Sequence, residues 1–354
     1  MPTSSPPLRL AIIGFGAFGQ RHAATIRASP DCALVAVADP AAAAASAAAA
    51  LGVPLFDDRA RLLDDANPDG VIVATPNASH VAAAMDAIAR RIPVLVEKPV
   101  AESVASARAL CEAARAAGVP VLVGHHRRYN PVIERARELV HSGAIGRLLA
   151  VNALFLIRKP DDYFDIAWRR EAGGGPLLIN LIHDIDNLRY IAGEIVDVQA
   201  FTANVARGNA VEDTAAVALR FANGAIGTAL LSDATPAPWS WEMTSGEAAM
   251  YPHCDDTCYW FAGSEGSLTL PRLEHWRYHG IPGWTAPLAR ERVAVDTADP
   301  QARQLAHFLR VIRREEAPRI DCDDAARTLE VTLSIGAAAH AQRMRAAVHA
   351  GVVA

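Results

Sequence analysis

The run Leu8-Arg9-Leu10-Ala11-Ile12-Ile13-Gly14-Phe15-Gly16-Ala17-Phe18-Gly19 reads as a strand, a glycine turn and the opening of a helix that continues from Gln20 to Ala28. That context gives a bare G-x-G-x-x-G its meaning. Gly14 permits the tight turn, Gly16 lets backbone approach a pyrophosphate, and Gly19 lets the helix pack on the strand. The anion sits at the positive end of the helix, against Ala17 and Phe18. A second strand, Leu34 to Ala38, ends at Asp39, twenty residues beyond Gly19. A carboxylate there accepts hydrogen bonds from the adenosine ribose and repels a 2′-phosphate, so NAD is expected rather than NADP. An ordinary strand-to-helix turn explains the glycines alone, but not strand, helix and acid together.

Outward from this run, strands and helices alternate through Gly124. The alanine-rich Pro40 to Ala50 suits a helix, and Val71 to Ala74 suits a buried strand ending in Thr75-Pro76-Asn77. Val94-Leu95-Val96 is a further buried strand that runs into Glu97-Lys98-Pro99, with a helix over Ser103 to Ala117 and a strand over Val119 to Gly124. Regular alternation means a doubly wound parallel sheet, an α/β Rossmann dinucleotide-binding domain over 1–124. Lys98 then emerges at the carboxyl edge of the sheet, where such sheets bind ligands. Pro99 holds it out of the helical region. Thr75, Pro76, Asn77, His80 and Glu97 fall at the same edge. Asn77 and His80 either contact the cofactor or serve as a helix cap and a helix-surface residue.

After Gly124 the pattern changes. His125-His126-Arg127-Arg128-Tyr129-Asn130 is a polar cluster before a helix opened by Pro131, readable as a substrate-facing lip or as a hinge. Longer alternating strands follow at Leu148 to Leu156, Val196 to Val205, Thr214 to Phe221 and Ala225 to Ser232, with Asn223-Gly224 marking a hairpin. Residues 125–354 therefore form an α+β domain on a mostly antiparallel sheet. Within it, Gly173-Gly174-Gly175-Pro176 opens a helix to Ile191 on which Asn180, His183 and Asn187 fall within about 60° of one another. Trp239 to His279 reads as a pocket-lining loop whose aromatics, Trp239 among them, either stack on a ring or pack in the core. One C-x-x-x-C at Cys254 and Cys258 is too little for a metal site, and none is expected. The tail helices, Gln301 to Glu316 and Asp323 to Ala347, are expected on the second sheet.

The chain has 354 residues, 51% of them hydrophobic, a net charge of -5 and five scattered cysteines. That length suits two domains. No basic stripe points to nucleic acid or an anionic membrane. No apolar run approaches the ~20 residues of a bilayer span. Met1 to Pro7 does not read as a cleavable leader, and odd, scattered cysteines suit a reducing compartment, so the cytoplasm is expected.

The glycine motif, Glu97-Lys98-Pro99, Trp168-Arg169, the Gly173-Gly174-Gly175 helix with His183 and Asp186, and the Phe308 to Thr328 tail together resemble the glucose-fructose oxidoreductase and inositol dehydrogenase family, Gfo/Idh/MocA. The resemblance spans essentially the whole chain. It implies an NAD(P)-dependent enzyme acting on a hydroxyl of a sugar, polyol, inositol or related ring. It also implies a homodimer or homotetramer assembled through a large open sheet in the second domain. On that pattern Lys98 stabilises the developing alkoxide and His183 takes the hydroxyl proton. Trp168, Arg169 and Tyr163 close the nicotinamide side. The usual Asp four residues before the histidine is Ile179 here, so Asn180 or Asn187 is left to orient the imidazole or bind a second hydroxyl. Arg127, Arg128 and Arg169 suit a carboxylated ring. A ligand-binding regulator without turnover, and an enzyme using NAD transiently in a non-redox elimination, share the same fold and cofactor.

Overall fold

The computed structural model describes residues 6–349. Five residues of the expected non-leader segment Met1 to Pro7 therefore lie outside the described residues. The chain divides into two compact units, residues 1–126 with 299–329, and residues 127–298 with 330–354.

In the first unit the elements are β1 (Leu8–Ile13), α1 (Ala17–Ala28), β2 (Cys32–Ala38), α2 (Ala43–Leu51), β3 (Leu55–Phe56) and α3 (Arg59–Ala66). They continue with β4 (Gly70–Val73), α4 (His80–Ala89), β5 (Val94–Val96), α5 (Val104–Ala117) and β6 (Val121–Val123). The strands pair in parallel in the order β3-β2-β1-β4-β5-β6. The order reverses between β1 and β4, which is the switch point at which doubly wound sheets take their ligands. Strands β4, β5 and β6 are buried throughout, as strands covered on both faces must be, and this is why they read as continuous apolar runs of Val, Ile and Leu after Gly70. Ser103 caps α5 by accepting the Ser106 N–H at 3.1 Å, and Gly118 ends it in the left-handed conformation.

Helix α1 begins at Ala17, one turn before the expected Gln20, because Gly16 is its N-terminal flanking residue. The strand β3 and the helix α3 were not expected. Two residues are too few to show a period, and the signal for α3 was Asp58, which caps it through the Arg61 N–H at 2.8 Å.

The second unit comprises α6 (Pro131–His141), β7 (Leu148–Leu156), α7 (Ile182–Ala192), β8 (Ile195–Ala203), β9 (Thr214–Phe221), β10 (Ile226–Ser232) and α8 (Trp241–Thr244). Strands β11 (Tyr259–Gly263), β12 (Gly266–Leu270), β13 (Glu274–Arg277) and β14 (Ala289–Arg292) complete it. Its eight strands run β14-β13-β12-β11-β7-β10-β9-β8. Among the described pairs only β7 and β10 are parallel. Helix α7 packs on α6 and β7, with Ile185, Leu188 and Ile191 in the core.

The aromatic interval is not a loop beyond Cys258. Tyr259 and Phe261 are buried and Trp260 points outward, the two-residue alternation of a strand. The tail also departs from expectation. Helix α9 (Pro300–Ile312) packs against α1 in the first unit. The Ile320 carbonyl accepts the Val123 N–H at 2.9 Å, satisfying β6 at the sheet's edge. Helix α10 (Cys322–His349) starts in the first unit and contributes Ile335 and Ala339 to the core of the second.

Candidate functional site

At the switch point of the first unit Gly14 has φ +90°, and a Cβ there would lie 2.5 Å from the backbone of Ala74 and Thr75. A Cβ on Gly19 would lie 2.1 Å from the Gly14 carbonyl. These two glycines are steric necessities of a strand and helix in contact. A Cβ on Gly16 would meet nothing within 4 Å. No side chain caps α1, so the Ala17 and Phe18 end of the helix is bare backbone. Asp39 stands beside it at the end of β2, one carboxylate oxygen accepting the Phe15 N–H at 2.6 Å and the other the Ala41 N–H at 2.8 Å. Each oxygen keeps a lone pair. The Thr75 hydroxyl, at the end of β4, is buried without a partner. An open amide end, an acid and an unanswered hydroxyl around one switch point fit a dinucleotide.

Beside this cradle, β5 ends in Glu97, Lys98 and a cis Lys98–Pro99 bond. Glu97 is buried and turned into the unit rather than outward: one oxygen faces His22 Nε2 at 2.7 Å and the other accepts the Lys98 N–H at 3.2 Å. Burial drives its pKa up, but the His22 hydrogen bond and the charges of His22, Lys98 and His126 outweigh it and hold the carboxyl at about 2. The pair ties the end of β5 to α1 and so fixes the backbone from which Lys98 projects. His80 is likewise withdrawn from the cofactor. It is buried, with Nδ1 2.7 Å from the Pro99 carbonyl and Nε2 2.8 Å from the Thr75 carbonyl. Its ring joins two strand-end turns. Asn77 opens a short 3₁₀ turn, Asn77–Ser79, and no side chain caps α4. Pro76 precedes that turn, exposed.

In the second unit the glycine run sits against the Trp168-Arg169 turn, where a Cβ on Gly174 would lie 2.2 Å from the Trp168 carbonyl. The next turn, Leu177–Leu181, is π-helical and leads into α7. A π turn is underwound, so the polar stripe drawn on a regular helical wheel is broken. Asn180 Oδ1 accepts from Lys159 Nζ at 2.7 Å, while the Asn187 amide donates to the Tyr259 hydroxyl at 3.3 Å inside the core. Asn187 is therefore a core residue, and His183 is buried at the start of α7. Tyr163 is flanked by two cations, Lys159 Nζ lying 4.7 Å and the Arg169 guanidinium 4.0 Å from its ring centre. Trp168 is half exposed beside Arg169.

Arg127 and Arg128 do not face a substrate. Arg127 is buried, donating to Asp184 at 3.1 Å and to Glu242 at 2.6 Å and lying over Trp241. Burial pushes the Asp184 carboxyl up, against the pull of Arg127, and the Glu242 charge adds to the rise. Arg128 forks onto Asp186 at 2.8 and 2.6 Å. Guanidiniums suit such fixed bidentate pairing, and sequence alone does not show which carboxylates lie opposite. Trp239 is partly exposed, its indole N–H donating to Asp256 at 3.0 Å. Two residues escaped the sequence reading, His22 and Lys159. The available signal for Lys159 was a Lys-Pro pair just past a strand, the same pattern as Lys98-Pro99.

The profile of an oxidoreductase family with an NAD-binding Rossmann fold, GFO/IDH/MocA, matches residues 8–125, and that of the GFO/IDH/MocA C-terminal domain matches residues 133–269. The chain is 31% identical to the rhizopine catabolism protein MocA of Rhizobium meliloti, over 52% of this chain and 57% of MocA. In that match it spans little more than half of MocA's length. It is 26% identical to scyllo-inositol 2-dehydrogenase (NAD(+)) of Bacillus subtilis over 92% of both. The WlbA dehydrogenase of Bordetella pertussis, solved with NADH and UDP-GlcNAcA, shares the fold with a TM-score of 0.77 at 22% identity, covering 94% of this chain and 97% of that one.

Proposed function

The chain belongs to the Gfo/Idh/MocA oxidoreductase family, with an NAD-binding Rossmann fold in its first unit, and on that premise we propose that it is an NAD-dependent dehydrogenase of a sugar, polyol or inositol-type ring. The observation that carries the reading is the switch point of the first sheet. There the bare amide end of α1, Asp39 and the Thr75 hydroxyl surround one place, with Lys98 held on the neighbouring turn of β5. Ala17 and Phe18 hold the pyrophosphate by their amides, and Asp39 takes the ribose hydroxyls and disfavours a 2′-phosphate. NAD supplies the hydride acceptor. Lys98 holds its positive charge at the reacting oxygen, stabilising the anion as it develops. His183 removes the hydroxyl proton, and Asn180 fixes a neighbouring substrate oxygen. Trp168, Arg169 and Tyr163 screen the site from water.

The expected location is the cytoplasm; among the described residues no helix is long and apolar enough to cross a membrane. We further assign a homo-oligomeric interface to the outer face of the second sheet. Strand register aligns Phe201 with Ala216 and Leu230, and Trp260 with Asn152 and Thr228. Phe201, Ile226, Leu230 and Trp260 are all exposed on it, an apolar surface of the kind that partners cover.

The deciding experiment incubates the purified protein with NAD and, in turn, myo-inositol, scyllo-inositol, D-glucose and D-glucuronate, following NADH fluorescence. NADH formation that Lys98→Ala abolishes supports the reading. Binding of NAD with no turnover of any of these compounds favours the regulatory alternative, and product formation without NADH release favours elimination.

A further inference from the structure

Of the 34 Lys and Arg residues in this chain, only Lys98 and Lys159 are lysine. Arginine serves as a general surface and ion-pairing cation as well as lysine does, but its planar fork does not deprotonate and does not present a compact charge. A chain that uses arginine everywhere else keeps lysine where that compact, three-donor head has a task. The two positions are built alike. Each lysine precedes a proline, Pro99 or Pro160, and each lies just past the carboxyl end of a parallel-paired strand, β5 or β7.

We propose that Lys159 is a second functional lysine, a substrate-contacting residue that donates to a hydroxyl or carbonyl oxygen of a polyhydroxy substrate beside the carbon that reacts. This rests on the dehydrogenase reading above and names a further specificity residue within it. Lys159 Nζ donates to Asn180 Oδ1 at 2.7 Å, one turn before His183, and lies 3.2 Å from Asp233 Oδ2. An ammonium has three donors, so two directions are occupied and one N–H remains. The side chain is 11% exposed, open enough to be reached and dry enough for the bond to count. Its surroundings are fixed in advance. The Lys159 N–H donates to the Asp233 carbonyl at 2.9 Å, and Arg207 grips Asp233 through the carboxylate at 3.2 Å and the carbonyl at 2.8 Å. Tyr163 walls the amine, with the Arg169 guanidinium also against its ring. Arg207 already answers the Asp233 charge, so neutralising that carboxylate does not by itself require a lysine. Burial draws the amine's pKa below the usual lysine range, against the pull of Asp233, which sharpens it as a donor.

The test uses Lys159→Arg and Lys159→Met in the full chain, with myo-inositol, D-glucose and D-glucuronate as probes. Steady-state NADH formation, NAD affinity and Tm are measured for each. In parallel, [15N]lysine labelling gives two ammonium groups for NMR, the Lys159 signal being the one lost in Lys159→Arg. The expected result is a KM for the productive probe raised by about 10-fold or more in both variants, with NAD affinity and Tm near wild type. The Lys159 ammonium signal should shift when the probe is added. Wild-type KM in Lys159→Arg overturns the proposal, and so does a fall in Tm and kcat with KM unchanged, which marks a structural cation. Where wild type forms no NADH, the dehydrogenase reading fails separately. The Lys159 signal still decides: a shift with any probe supports the contact, and a static signal with all three overturns it.

Discussion

Lys98 carries the largest expected effect of any single side chain. Lys98→Ala should lower kcat/KM by ~10²-fold or more while leaving NAD affinity within a few-fold, because the lost charge acts on the reacting oxygen and not on the dinucleotide. Stopped-flow and binding titration separate the two. His183→Asn is the parallel test, and near-normal turnover in it would move proton transfer to another group. Glu97 controls a different quantity. Its folded pKa of about 2 lies below the ordinary 4.5, so the native state favours the ionised form. The resulting stability is fully present above pH ~4.5 and disappears as pH falls towards ~2. At roughly 1.4 kcal/mol per unit this amounts to ~3 kcal/mol. Glu97→Gln should therefore flatten the loss of stability between about pH 4.5 and 2, read from denaturant midpoints across that range. A slope equal to wild type would show that the His22 pair contributes nothing.

The elements separate steric from functional glycines. Gly16→Val should leave Tm nearly unchanged, since a Cβ there meets nothing within 4 Å, yet weaken NAD binding by ~10-fold or more by blocking approach to the amide end of α1. Gly19→Ala should do the reverse first, costing ~2 kcal/mol or more, because its Cβ would sit 2.1 Å from a backbone oxygen with no flexible tip to yield. Differential scanning fluorimetry with and without NAD distinguishes them, and equal Tm losses in the two variants would contradict the assignment. The π turn at Leu177–Leu181 belongs to this scale too. It replaces the expected regular helix, directs Asn180 to Lys159, and leaves Asn187 in the core with Tyr259.

At the scale of the whole molecule the outer face of the second sheet governs assembly in the reading proposed above. Leu230→Arg combined with Phe201→Glu places charge on the apolar outer face of the second sheet. The double variant should run as a monomer by size exclusion with light scattering, with its far-UV spectrum intact, whereas an unchanged mass would exclude that face as the interface.

The first 124 residues were largely legible because a parallel sheet writes its pattern locally: each buried strand is an apolar run, each crossover helix follows it, and the glycines announce the turn. Gly14, Gly16 and Gly19 at the strand-to-helix turn, and Asp39 and Lys98 at strand ends, were placed in the fold this way, from their covalent neighbours. What the order of residues did not contain was which side chains meet across distance. Arg127 and Arg128 looked free for a substrate until folding set Asp184, Glu242 and Asp186 against them. His80 and Glu97 stand at the cofactor edge by sequence, and the fold buries both and bonds their polar atoms within the first unit. Helix α9 docks on α1 in the first unit rather than on the second sheet, and its sequence does not show this, since an amphipathic face states that it will be buried and not against what. Local pattern determines elements, whereas ion pairing, helical underwinding and the docking of amphipathic faces are decided by long-range contacts that only the folded chain brings into reach.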